Sequence, residues 1–273
     1  MNRHDLIESA EKFIAGSTDN FVPGDLALSK EVEGMKIFDK PIFGFAMADD
    51  ELFKELQRPE VIGRHVLIPE DWLPGARTVI SFFMPFTERV KRANSRDFSW
   101  PADEWLHARI EGQAFLEKVC EHLRSVLIDA GYKTVVPIFD PRFRAYNADP
   151  DPDLAFSSNW SERHAAYICG LGTFSLSKGL ITEKGVAGRF GSLVTELYLP
   201  PDKRPYSGLY DYCTMCGLCE DHCPAEAISL EKGKEHLPCF RFLNNTLKKC
   251  RPRYGCGKCQ VDVPCESCAP GKP

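Results

Sequence analysis

The sequence predicts an α/β sandwich over residues 1–204 followed by a small cysteine-rich domain over residues 205–273. Three observations predict it. Short apolar, β-branched runs alternate with helix-period segments up to about residue 204, the pattern of strands covered by helices. The stretch "PPDKRPYSG" then interrupts that pattern with prolines and reads as a hinge. Beyond it, ten of the 12 cysteines lie between Cys213 and Cys268.

Residues 3–15 read as an amphipathic helix with Leu6, Ile7, Phe13 and Ile14 on one side. "KPIFGFAMADDELFKELQ" gives a strand from about Pro41 to Ala46, then a helix with Asp49 or Asp50 as its N-cap. "GARTVISFFMPF" is too short for a helix and reads as a buried strand. The longest helix starts near Pro101, repeats Trp105, Phe115, Leu116, Val119, Leu123 and Leu127 at helical spacing, and stops before Gly131. "KTVVPIFD" reads as a strand, and the acid- and proline-rich Asn147 to Asp153 as a loop. "WSERHAAYICGLG" reads as a helix ending at Gly170, and Arg189 to Leu199 as the last strand before the hinge.

Cys213, Cys216, Cys219 and Cys223, followed by Pro224, form the run C-x2-C-x2-C-x3-C-P. A zinc site usually draws its four ligands from two well-separated pairs, and a disulfide knot needs no such regularity. The run is instead that of bacterial ferredoxins, in which three cysteines wrap one [4Fe–4S] cluster and the fourth reaches a second. A second cluster needs further thiolates downstream, and Cys239, Cys250, Cys256, Cys259, Cys265 and Cys268 supply them. Cys120 lies among Leu116, Val119 and Leu123, where a thiol acts as a small hydrophobe.

The chain is 43% apolar and 27% charged with a net charge of −5, an ordinary soluble composition that argues against a surface given over wholly to nucleic acid. The N-terminus shows no export signal, and no apolar stretch is long enough for a membrane span, so the expected place is the cytoplasm with reduced thiols, away from any membrane. Between Lys232 and Lys258, eight basic residues face the single acid Glu235. They offset cluster charge, or form a docking face for an acidic electron donor or for RNA phosphates.

In the order "LPGARTVI", "WSERHAAYICGLGTFSLSKGLIT", "RFGSLVTELYL", "CTMCGLCEDHCPAEAIS" and "YGCGKCQ", the chain resembles the epoxyqueuosine reductases and, more distantly, the reductive dehalogenases. The resemblance covers roughly residues 40–265 and implies a nitroreductase-like sandwich that binds cobalamin, with a ferredoxin-like domain of two [4Fe–4S] clusters feeding it electrons. It implies Cys213, Cys216, Cys219 and a late cysteine for the first cluster, and Cys223, Cys239, Cys256 and Cys259 for the second. Cys265 comes before Cys268 and is the expected late ligand; Cys250 has no counterpart. Cofactor-side positions are Arg64, Phe156, Gly170, Gly172 and Lys178. The glycines serve equally to end a helix and pack closely.

Departures from the family pattern bear on function. The family's proton-donating Asp falls at Phe156, its Gly-Lys pair is replaced by Ser175 and Leu176 with Lys178 beyond, and the chain stops without the family's tRNA-gripping repeats. These speak against tRNA as substrate. Glu162 is then the candidate acid, unless it is a helix-surface carboxylate paired with Arg163. Three functions follow as expectations: a corrinoid-dependent reductase of a small molecule, fed by a donor such as ferredoxin or flavodoxin; an electron-transfer or corrinoid-storing protein serving a partner enzyme; or a flavin reductase with FMN in the sandwich.

Overall fold

A computed structural model describes residues 1–271. Helix α1 (Arg3–Gly16) starts where Asn2 and Asp5 cap each other reciprocally, each side chain accepting the other's backbone N–H. Strand β1 (Ile42–Met47) leads into α2 (Glu51–Glu55), whose N-cap is Asp50, and α3 (Pro69–Trp72) begins with its proline in the first turn. The buried run forms β2 (Thr78–Pro85); α4 (Glu88–Asn94) and the long α5 (Asp103–Asp129) follow. Gly131, just past α5, has a φ of 89°, as the left-handed exit from a helix requires.

Strand β3 (Thr134–Val135) is much shorter than "KTVVPIFD" suggests. Pro137 has no N–H to give a ladder, and residues Pro137–Phe139 coil into a 3-10 turn instead. The acidic loop is bracketed by β4 (Ala145–Tyr146) and β5 (Ser157–Ser158). Helix α6 (Glu162–Ile168) is capped by Ser161, and β6 (Gly172–Phe174) and β7 (Leu180–Thr182) make a hairpin that the sequence did not announce. Strand β8 (Gly188–Thr195) stops four residues short of the expected Leu199.

The main sheet has the order β1-β2-β8-β3 and is antiparallel throughout, with Phe45 opposite Ile80 and Ile80 opposite Leu193. It is the α+β form of the sandwich. Alternation along β2 divides the core: Ile80, Phe82 and Met84 face α1 and α5 with Leu6, Phe115, Val119 and Leu123, while Val79 joins Trp72, Trp160, Ala165 and Ile168 on the α6 side. Each such buried side chain contributes roughly 1.5–3 kcal/mol. Cys120 is fully buried in the first of these clusters, a packed thiol.

After the hinge come α7 (Leu218–Asp221), β9 (Ile228–Ser229), β10 (Gly233–Lys234) and α8 (His236–Cys250). This part is stitched back to the sandwich. Val261 is completely buried in the α5-side core, Val186 N–H donates to the Cys265 carbonyl at 2.9 Å, and Arg253 pairs with Glu111 of α5 at 2.5 Å.

Candidate iron–sulfur and cofactor site

The C-x2-C-x2-C run is a tight loop because Gly217 takes a φ of 84° and lets α7 start immediately, bringing Cys219 back over Cys213 and Cys216. Cys265 approaches from the far end of the chain. These four thiols line one small hollow together with Met215, Pro264 and Leu176. Burial and the neighbouring thiols push Cys219 and Cys265 up to about 12. Such thiols hold their protons until a metal displaces them. Cys268 is exposed and does not line this hollow; its S–H points to the Pro264 carbonyl at 3.4 Å.

Cys223, Cys239, Cys256 and Cys259 line a second, larger hollow of about 190 Å³. Phe86, Trp105, Arg109 and Arg189 of the sandwich close its other side. Burial pushes Cys256 up to about 12 and raises Cys259. Backbone and side chains fix the quartet. The Ala227 N–H aims at Cys223 Sγ at 3.3 Å, Asn94 at the end of α4 donates to the Cys256 carbonyl at 2.9 Å, and the buried Lys258 ammonium donates to Asn94 O at 2.7 Å and to Asn94 Oδ1 at 3.0 Å. Cys239 sits in the first turn of α8, where the helix dipole favours negative charge. Cys250 closes the same helix, roughly 16 Å further along its axis, too far to share a cluster with Cys239.

The cofactor-side positions separate into two groups. Phe156 and Lys178 meet at the first turn of α8: Phe156 stacks on His236 with centroids 5.3 Å apart and meets Phe240 edge-on, while Lys178 Nζ lies 3.1 Å from His236 Nε2. Both hold left-handed backbone, at φ 61° and 58°, which side chains of this size rarely adopt. Gly170, Gly172 and Arg64 are not part of this meeting. Gly170 ends α6 with a φ of 85°, and a Cβ on Gly172 would fall 1.9 Å from the Ile181 carbonyl oxygen, so the β6–β7 hairpin needs a glycine there. Arg64 is exposed in the loop between α2 and α3.

Glu162 differs from the surface-pair expectation. Both carboxylate oxygens are buried without a hydrogen-bond partner, and Arg163 donates instead to the Lys178 carbonyl at 2.6 Å. The nearby Trp160 indole donates to the Ser192 hydroxyl at 2.9 Å. Burial therefore lifts the Glu162 carboxyl to about 7. Sequence reasoning also missed Lys234 and His236, which share the Lys178 neighbourhood. Lys234 had no signal beyond its place in the basic run from Lys232 to Lys258, and His236 had none.

Residues 209–229 match the family described as "4Fe-4S binding domain". Epoxyqueuosine reductase of Bacillus cereus is 25% identical over 216 residues, 72% of this chain and 50% of that protein. Tetrachloroethene reductive dehalogenase of Desulfitobacterium hafniense is 44% identical over 73 residues, 26% of this chain and 13% of that protein. A crystal structure of epoxyqueuosine reductase with an epoxyqueuosine-modified tRNA-Tyr stem loop superposes with a TM-score of 0.56 at 20% identity, covering 97% of this chain and 65% of that one. The Bacillus subtilis enzyme, solved with its aspartate catalytic loop swung out of the active site, gives 0.54 at 19% identity over the same shares. The chain thus spans less than two thirds of each of these relatives.

Fold and cysteine motif together define an iron–sulfur protein, a mixed α/β domain carrying a 4Fe–4S binding domain. Within that class the chain is similar to epoxyqueuosine reductase over most of its length and to the reductive dehalogenases over a shorter stretch of 73 residues.

Proposed function

We propose that the chain is a cytoplasmic reductase holding two [4Fe–4S] clusters and a corrinoid, and that it does not reduce epoxyqueuosine in tRNA. Cys213, Cys216, Cys219 and Cys265 would hold one cluster; Cys223, Cys239, Cys256 and Cys259 would hold the other. The observation that carries this reading is the division of eight thiols between two hollows, the second of which opens on Trp105, Arg109 and Arg189 of the sandwich. When bound, the clusters supply one-electron relay and the corrinoid supplies the metal that does the reductive chemistry.

The chain's own residues would do the rest. The Ala227 amide and the α8 N-terminus face thiolate charge at the second quartet and favour its retention. The orphaned carboxyl of Glu162 is a buried polar group that a large polar cofactor can satisfy. Glu162, held near 7, can keep a proton at neutral pH and is the acid best suited to donate one. Phe156 has none to donate, and it is committed to His236 and Phe240. That supports a small molecule rather than epoxyqueuosine tRNA as substrate, with a ferredoxin- or flavodoxin-like donor. The same phenyl ring favours a second reading, an electron-transfer or corrinoid-reducing protein that serves a partner enzyme.

The test is anaerobic addition of cobalamin to reconstituted protein. The expected result is a Co(II) paramagnetic resonance signal altered from that of free cofactor, with epoxyqueuosine tRNA left unchanged. An unaltered signal would contradict the cofactor assignment, and turnover of that tRNA would contradict the substrate assignment.

A further inference from the structure

Four basic side chains converge from four elements beside the second hollow: Arg163 of α6, Lys178 from the turn between β6 and β7, Lys234 of β10 and His236 of α8. The Arg163 guanidinium donates to the Lys178 carbonyl at 2.6 Å, and the Lys178 ammonium is 3.1 Å from the His236 ring nitrogen. None of the four has an acidic partner among the described residues. Three cationic side chains and an imidazole gathered with no carboxylate among them leave donors available to an anion.

The cluster's own negative charge accounts for only half of this group. Cys259 lies near Arg163 and Lys234, so a thiolate-ligated cluster there would face those two. Lys178 and His236 face only other cations. Their ionised forms are disfavoured first by burial and then by that repulsion, which takes His236 down to about 4, so its neutral ring accepts from the Lys178 ammonium and keeps its other nitrogen to donate.

We propose that Arg163, Lys178, Lys234 and His236 form a binding site for the phosphate group of a ligand. A guanidinium fork, two ammonium groups and an imidazole arriving from different elements offer more donors, in more directions, than a planar carboxylate can accept. A tetrahedral phosphate with two or three free oxygens accepts them. Phe156 and Phe240 wall the site beside His236, so the rest of the ligand meets aromatic surface. Two sources present this chemistry, the phosphodiester of a corrinoid's nucleotide tail and a phosphate ester on the substrate. The inference rests on the assignment of the second quartet to a cluster, which places Arg163 and Lys234 between two anions.

Calorimetric titration of inorganic phosphate into the anaerobic, cluster-reconstituted protein tests it. We expect saturable binding that weakens about tenfold or more in Lys178→Asn, since a charge-assisted partner is lost while asparagine tolerates the left-handed backbone. His236→Gln, which leaves that turn untouched, should also weaken it. No saturable binding in the parent protein, or unchanged binding in both variants, overturns the site. Iron is counted on the same samples, so failure of the cluster assignment appears as missing iron and failure of the phosphate site as a missing titration. Cobalamin and cobinamide, which lacks the nucleotide tail, separate the sources. Selective weakening of cobalamin by Lys178→Asn assigns the phosphate to the cofactor, and weakening of inorganic phosphate alone assigns it to the substrate.

Discussion

Glu162 opens α6 with both carboxylate oxygens buried, and its proton affinity follows from that burial. Its carboxyl titrates near 7 when folded against an ordinary 4.5, so the folded state binds the extra proton between those values and loses stability as pH rises through them. Above about pH 7 the whole cost, roughly 3 kcal/mol at most, is in place. Glu162→Gln removes the ionisation. Its stability advantage over the parent should grow by about 1 kcal/mol between pH 6 and pH 8 in anaerobic denaturant titrations, and a difference that does not change with pH would show that Glu162 is not the titrating group. At the cysteines, position decides more than number. Cys265 lines the first hollow and Cys268 does not, so Cys265→Ala should lose about half the iron and Cys268→Ala almost none. The opposite pattern would give the fourth ligand to Cys268.

At the scale of elements, the end of α4 fixes the second quartet. Lys258 is buried under Asn94 and gives two hydrogen bonds to it, and Asn94 in turn holds the Cys256 carbonyl. Lys258→Met takes its donor from the Asn94 carbonyl, while Asn94 Oδ1 keeps the Ala102 N–H, and should cost roughly 1–3 kcal/mol, with faster loss of iron to a chelator. Retention of iron at the parent rate would mean that the loop holds itself. What was legible in the sequence follows the same scale. Periodic segments such as α5 and α1, and a capped one such as α2, were readable because three or more turns repeat the signal or a cap marks the start. The β6–β7 hairpin, of three-residue strands, is too short to show a period of two, and Pro137 cut β3 to two residues. The run Cys213, Cys216, Cys219 and Cys223 was readable because metal chemistry fixes its spacing, while the later cysteines were sorted by the family resemblance. The Lys178–His236 meeting was not, since it joins residues 58 positions apart that only the folded hairpin and α8 bring together.

Across the whole molecule, the antiparallel sheet β1-β2-β8-β3 presents the start of β8, with Gly188 and Arg189, to the second hollow. The cysteine-rich region returns the contact by burying Val261 in the sandwich core and laying Gly257 against Trp105. Among the described residues no helix is long and apolar enough to cross a membrane. The two hollows therefore lie in one continuous packed body, the second against the sandwich and the first, with the exposed Cys216 and Met215, toward solvent. Electrons from a donor would then enter at the first quartet and leave at the second. That route requires both quartets to be filled. Iron and sulfide analysis of anaerobically reconstituted protein tests it most directly: the account predicts about eight iron and eight sulfide per chain, four of each for each quartet. Saturation near four of each, or zinc in place of iron, would contradict it.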